Sequence, residues 1–145
     1  MENAANVQVL QDIYTAWNTK DQAKLLSCMT EDCVYEDMAM AAVMHGHEGV
    51  GAFMTEVYKT MPDFHVEYLK VFASDHHAAG QWLIKATWNG EYEGVDCTGK
   101  RIEFTGISYY HFKDGKVART QDCWDSTQMM LAFGVLPEAL RALAK

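Results

Sequence analysis

The chain has 145 residues and a mass of 16.4 kDa, which is the length of one domain, 1–145. Twelve Lys and Arg stand against twenty Asp and Glu, a formal charge of −8 at pH 7. That excess of negative charge repels phosphate and excludes nucleic acid and anionic membrane surfaces as ordinary partners. A hydrophobic fraction of 49% with 2 Pro excludes a disordered chain, and no apolar run reaches the roughly 20 residues needed to span a bilayer.

Val7, Leu10, Ile13, Tyr14 and Trp17 recur at helical spacing and predict an amphipathic helix over 4–18. Asp21 is placed to cap a short second helix carrying Leu25, Leu26 and Met29. Val34 to Asp37 reads as a short strand, and Met38 to Met44 as a loop without a clear period. Val50, Phe53, Met54, Val57, Tyr58 and Met61 form a helical stripe that Pro62 ends. The period then changes. Residues 64–73 alternate in part, and Trp82, Ile84, Ala86 and Trp88 fall on one face at period two. Gly90 and Gly94 bracket a bend, and 96–100 is a turn. Residues 101–113 form a long strand, Asp114-Gly115 is a hairpin turn, and 116–125 is the return strand. A short helix over 127–133 follows, then Pro137 and a tail. Helices first and antiparallel strands after them predict an α+β fold, with helices on one face of a curved sheet and a small-molecule pocket between the layers.

Met1-Glu2-Asn3 opens without a basic or strongly apolar leader, so a cytoplasmic protein is expected. Cys28, Cys33, Cys97 and Cys123 form no Cys-x-x-Cys pair and are expected as free, mostly buried thiols. His45-x-His47 and His76-His77 lack a ligand-completing carboxylate at a recognisable spacing. No metal is expected.

Several short motifs occur in a telling order. Phe53 precedes Pro62-Asp63-Phe64. Gly90-Glu91-Tyr92-Glu93-Gly94 precedes Thr98-Gly99-Lys100. Gly106 and Asp114-Gly115-Lys116-Val117 follow, then Asp125, Met129-Met130 and Phe133-Gly134. The set resembles the SnoaL-like polyketide cyclases of the NTF2-like superfamily over most of the chain. That resemblance implies a cone-shaped NTF2-like fold and a cofactor-free lyase or isomerase performing aldol-like acid–base chemistry. It implies that Asp125 is the acid–base aspartate. His111 takes the place of a pocket histidine, Tyr109 that of a pocket glutamine, and Cys123 that of a second histidine. Asp125, His111 and Tyr109 are therefore the expected catalytic set, and Tyr14, Trp17, Asp37, Phe53, Trp88 and Cys123 the expected substrate contacts.

A desolvated aspartate gains a pKa near neutrality and can take and return a proton. The competing reading of Asp125 is a helix N-cap, since Ser126-Thr127 follows it. Asp37 is the second acid–base candidate. It stands where the related ketosteroid isomerases carry their base, although their helix-1 tyrosine aligns with Ile13 and their protonated acid near Ser108. Arg119 with Asp125 evokes a limonene-type epoxide hydrolase, but six strand residues, roughly 20 Å, separate the two. A non-catalytic binding module for an apolar ligand, or a dimerisation module, is the alternative class. A homodimer is expected because the sheet face away from the helices needs cover.

Overall fold

The computed structural model describes residues 1–141; the end of the expected tail lies outside them. Helix α1 (Ala4–Thr19) begins where the Asn3 side chain accepts the Asn6 N–H, and it ends at Lys20, which adopts a left-handed conformation at φ 56°. Helix α2 (Gln22–Ser27) starts on Asp21, whose carboxylate accepts from the Lys24 N–H. Met29 is not part of it, and instead opens strand β1 (Met29–Asp37). The expected loop is a turn followed by β2 (Ala42–His45), paired antiparallel with β1. Helix α3 (Gly46–Thr60) stops before Pro62.

Strands β3 (His65–Ala73) and β4 (His77–Thr87) form a hairpin. The ribbon of β5 (Glu91–Tyr92) and β6 (Val95–Asp96) fills the expected bend. Strand β7 (Arg101–Lys113) and β8 (Lys116–Trp124) pair antiparallel through Asp114 and Gly115, at φ 51° and 75°. Helix α4 (Ser126–Phe133) closes the fold before a single turn, α5 (Glu138–Arg141).

The sheet order is β2-β1-β8-β7-β4-β3. One pairing departs from the antiparallel expectation: β1 runs parallel to β8, which carries the first strand to the end of the last one. The helices cover one face of this sheet. Leu10, Leu25, Val50, Val117 and Phe133 are almost wholly buried between the layers, and each such side chain contributes roughly 1.5–3 kcal/mol.

The sheet must leave room for large rings. A Cβ on Gly106 would lie 2.3 and 2.4 Å from the Trp82 ring, and one on Gly80 would lie 2.5 Å from the Tyr68 ring. The two glycines are flat places on which those aromatics rest.

The short motifs are tie-points. Both Asp63 carboxylate oxygens accept from Thr87, from its N–H at 2.6 Å and its hydroxyl at 2.7 Å, which anchors the end of β4. The Lys100 ammonium donates to the Phe133 carbonyl at 2.7 Å, at the end of α4. Among the described residues no helix is long and apolar enough to cross a membrane.

Candidate functional site

A cavity of about 300 Å³ lies between the helices and the concave sheet face. Tyr14 and Trp17 of α1 and Phe53, Val57 and Met61 at α3 form its helical wall. Trp82 and Ile84 come from the inward row of β4, Trp88 from the position just after that strand, and Phe104, Ser108 and Tyr110 from the inward row of β7. The lining is almost all apolar, with Asp37 and Asp122 as its buried carboxylates.

Asp122 occupies the second-last inward position of β8, opposite Ser108. Its carboxylate accepts the Tyr35 hydroxyl on one oxygen and the Ser108 hydroxyl on the other. The Trp82 indole N–H donates to the Ser108 oxygen at 2.8 Å. A serine has one hydroxyl proton. With the indole donating to its oxygen, Ser108 is directed to give that proton to Asp122. Burial pushes the Asp122 pKa up to about 6, the Ser108 and Tyr35 hydrogen bonds pull it down, and the nearby Asp37 charge adds to the rise.

Asp37 ends β1 and is also buried. It accepts the Met40 N–H at 3.0 Å and the Trp124 indole N–H at 3.1 Å. Burial raises its pKa, and those donors moderate the rise. The Tyr14 and Tyr110 hydroxyls meet at 3.3 Å in the same cavity, and burial holds both phenols neutral, the Tyr110 pKa at about 12.

The expected catalytic set lies elsewhere. Asp125 follows β8 as the N-cap of α4, accepting from the Thr127 N–H at 2.9 Å and from the Thr127 hydroxyl. Those bonds, the hydroxyl first, hold its carboxyl below the usual range. Tyr109 and His111 do share a face, but it is the outer one. Tyr109 is 43% exposed, and its hydroxyl lies 2.6 Å from His77 Nδ1. His111 stacks on His77 at 5.0 Å between centroids. Cys123 is also exposed, with its sulfur 3.2 Å from that of Met38, while the other three thiols are buried. Arg119 pairs with Glu36 at 2.8 Å, half-exposed, on the outer face. The expected contacts Tyr14, Trp17, Asp37, Phe53 and Trp88 do line the cavity.

The displacement is one of parity. In β7 burial alternates without a break, with Ile102, Phe104, Gly106, Ser108, Tyr110 and Phe112 inward. The sequence carries this signal, because Tyr109 and His111 share their row with Arg101, Glu103 and Lys113. Asp122 is harder to reach. The β7–β8 register steps from His111 opposite Arg119 to Phe112 opposite Val117, so Ala118 is an extra residue. That bulge reverses the alternation, and both Val117 and Thr120 point inward. Counting by twos from Val117 would put 119, 121, 123 and 125 inside.

The cap carries its own prediction. Asp125→Ala is expected to cost about 1 kcal/mol in thermal or urea unfolding and to leave turnover within about twofold. A hundredfold loss of turnover in a folded Asp125→Ala protein would return the acid–base role to that residue.

Comparisons with known proteins agree with this architecture. AclR, a candidate hydroxylase from Streptomyces galilaeus, superposes with a TM-score of 0.78 at 24% identity, covering 92% of this chain and 98% of its own. TsrD from Streptomyces laurentii gives a TM-score of 0.81 at 20% identity, over 94% and 99%. IdmH, a candidate polyketide cyclase from Streptomyces antibioticus, gives 0.78 at 19% identity, over 90% and 99%. At these identities the likeness is one of fold. No curated protein matches the chain in sequence. The sequence model of one family does match, over residues 7–132, from the first helix through the closing one, and with it the chain belongs to the SnoaL-like polyketide cyclases.

Proposed function

We propose that the protein is a cofactor-free cyclase or isomerase that performs general acid–base chemistry on a mostly apolar, carbonyl-bearing small molecule. The observation that carries this is Asp122, buried in an apolar cavity with a pKa of about 6. Such a group is ionised at neutral pH yet basic enough to take a carbon-bound proton. In the proposed step the Asp122 carboxylate accepts a proton from the carbon beside a carbonyl, and the C–H electrons pass into the enolate. The enolate carbon attacks a second carbonyl of the same molecule, forming a C–C bond. The resulting alkoxide takes the proton back from Asp122. The Tyr14 and Tyr110 hydroxyls, which line the cavity, are the donors available to the developing oxyanion.

A direct test is deuterium exchange. In D2O the protein should speed exchange at the activated methylene of ethyl 3-(2-naphthyl)-3-oxopropanoate above the buffer rate, read by NMR. No acceleration between pH 5 and 8 would leave a binding module as the function.

The second reading makes Asp37 the base, as in the ketosteroid isomerases, and it is favoured by that residue's burial and raised pKa. Comparing Asp37→Asn with Asp122→Asn in the same assay separates the two. The variant that loses exchange marks the base.

Assembly and compartment belong to the same proposal, a cytoplasmic homodimer. Phe72, Ala79 and Tyr109 stand level across β3, β4 and β7 on the outer face, and Phe72, Ile107 and Tyr109 are exposed. An apolar patch of this kind supports pairing with a second copy. Light scattering at micromolar protein should give twice 16.4 kDa, and Ile107→Glu should halve it. A wild-type monomer sinks the dimer.

A further inference from the structure

Polar side-chain atoms that are buried within the protein nearly always find a partner. Among the described residues three do not: Thr30 Oγ1, Thr120 Oγ1 and Trp88 Nε1. Two of the three, Thr120 and Trp88, line the cavity. Leaving such a group unpaired is unfavourable, so its position in a cavity wall points to what the cavity receives. The two differ in chemistry. An indole N–H only donates, so Trp88 requires an acceptor. A threonine hydroxyl does either.

Their places in the fold differ too. Trp88 follows Thr87, which stands opposite Arg101 at the start of β7. Thr120 stands opposite Tyr110 near the other end of that strand. Trp88 is at the mouth, because it is only half-buried and the lining beside it at the end of α3 includes exposed Glu56 and half-buried Thr60, whose carbonyl accepts the Asn89 N–H at 2.7 Å. There Trp88 is braced edge-on by Tyr92 and Phe133, at 5.8 and 5.1 Å between centroids. Thr120 is at the closed end, 1% exposed, between β1 and β7 and two residues from Asp122. The walls between the two poles are Ile13, Ile84, Phe104, Trp17 and Phe53.

We infer that the cavity selects an elongated, largely apolar molecule with oxygen functions at both ends: a carbonyl oxygen received by the Thr120 hydroxyl beside Asp122, and a second oxygen accepting from the Trp88 indole N–H at the mouth. This rests on the acid–base reading of Asp122, which sets the carbonyl at the closed end. A compact molecule with one polar group satisfies one pole and leaves the other unpaired. A hydrocarbon leaves both.

Binding, rather than turnover, tests this, so that its failure is distinguishable from a failure of the catalytic reading. Three rod-shaped probes of closely matched size suffice: 4-acetyl-4′-methoxybiphenyl, 4-acetyl-4′-ethylbiphenyl and 4-ethyl-4′-methoxybiphenyl. Wild-type protein should bind the first roughly tenfold more tightly than either of the others, measured by calorimetry. Trp88→Phe keeps the ring and removes the N–H, and should erase the preference for the methoxy group alone. Thr120→Val keeps the shape and removes the hydroxyl, and should erase the preference for acetyl over ethyl alone. Asp122→Asn, inactive in exchange, should keep the methoxy preference in full. Equal binding of all three probes, no binding of any, or a methoxy preference that survives Trp88→Phe overturns the inference. So does a methoxy preference that is lost in Thr120→Val instead.

Discussion

Asp122→Asn is expected to lower the deuterium-exchange rate by about 10² to 10⁴-fold, the usual worth of a positioned base. The wild-type rate should rise with pH through an acid limb centred near the Asp122 pKa of about 6. The asparagine variant should show no such limb. The same substitution has a signature in stability. The folded pKa is raised above the ordinary aspartate value of 3.8, so the native state holds this proton more tightly than the unfolded chain. The stabilisation from neutral Asp122 is therefore complete below about pH 4 and lost as pH rises through about 6. At about 1.4 kcal/mol per pKa unit the difference is of order 3 kcal/mol. Asparagine does not titrate, so wild type should lose stability relative to Asp122→Asn as pH rises from 4 to 7. Urea unfolding at both pH values measures it. Parallel pH profiles in the two proteins would mean that Asp122 is solvated, and the proposed base would fail with it.

Gly106→Ala should be the most damaging single methyl group in the sheet. The added Cβ would meet the Trp82 ring at 2.3 and 2.4 Å and the Cys123 carbonyl at 2.9 Å. None of these can yield freely, because Trp82 is buried and its N–H is committed to Ser108 at 2.8 Å. Overpacking against backbone and a fixed ring costs about 3 kcal/mol, or roughly 10 °C in melting temperature for a chain of this length. The damage should also reach the site. Moving Trp82 withdraws the donor that directs the Ser108 proton towards Asp122, so exchange should fall at least about tenfold in the protein that remains folded. Adding Trp82→Phe, a smaller ring, should recover part of the stability and none of the exchange, since the indole N–H is then gone. Additive destabilisation in the double variant would show that the glycine serves something other than this ring.

The position of Asp125, Tyr109 and His111 outside the cavity and the success of the expected fold have the same source. Local signals were sufficient wherever a short stretch decides its own conformation. The stripe of Leu10, Ile13, Tyr14 and Trp17 marked α1, Asp21 marked the start of α2, and Pro62 the stop after α3. Asp114-Gly115 marked the β7–β8 turn. The aromatic contacts of the cavity, Tyr14, Trp17, Phe53 and Trp88, followed from those periods, as did Asp37 at the end of β1. The alternation of β7 was legible as well: charged Arg101, Glu103 and Lys113 mark the outer row, and Tyr109 and His111 stand in it.

Three features needed the tertiary structure. The parallel pairing of β1 with β8 joins segments far apart in the chain. The depth of Asp122 depends on helices that no local pattern positions. Its direction depends on the bulge at Ala118, where one residue more on β8 than on β7 turns every later side chain to the opposite face. Side-chain alternation along a strand follows from backbone geometry and can be read from sequence. Which of the two aspartates at the end of β8, Asp122 or Asp125 beyond it, lies inside depends on how that strand registers against its neighbour, and only the folded sheet decides the register.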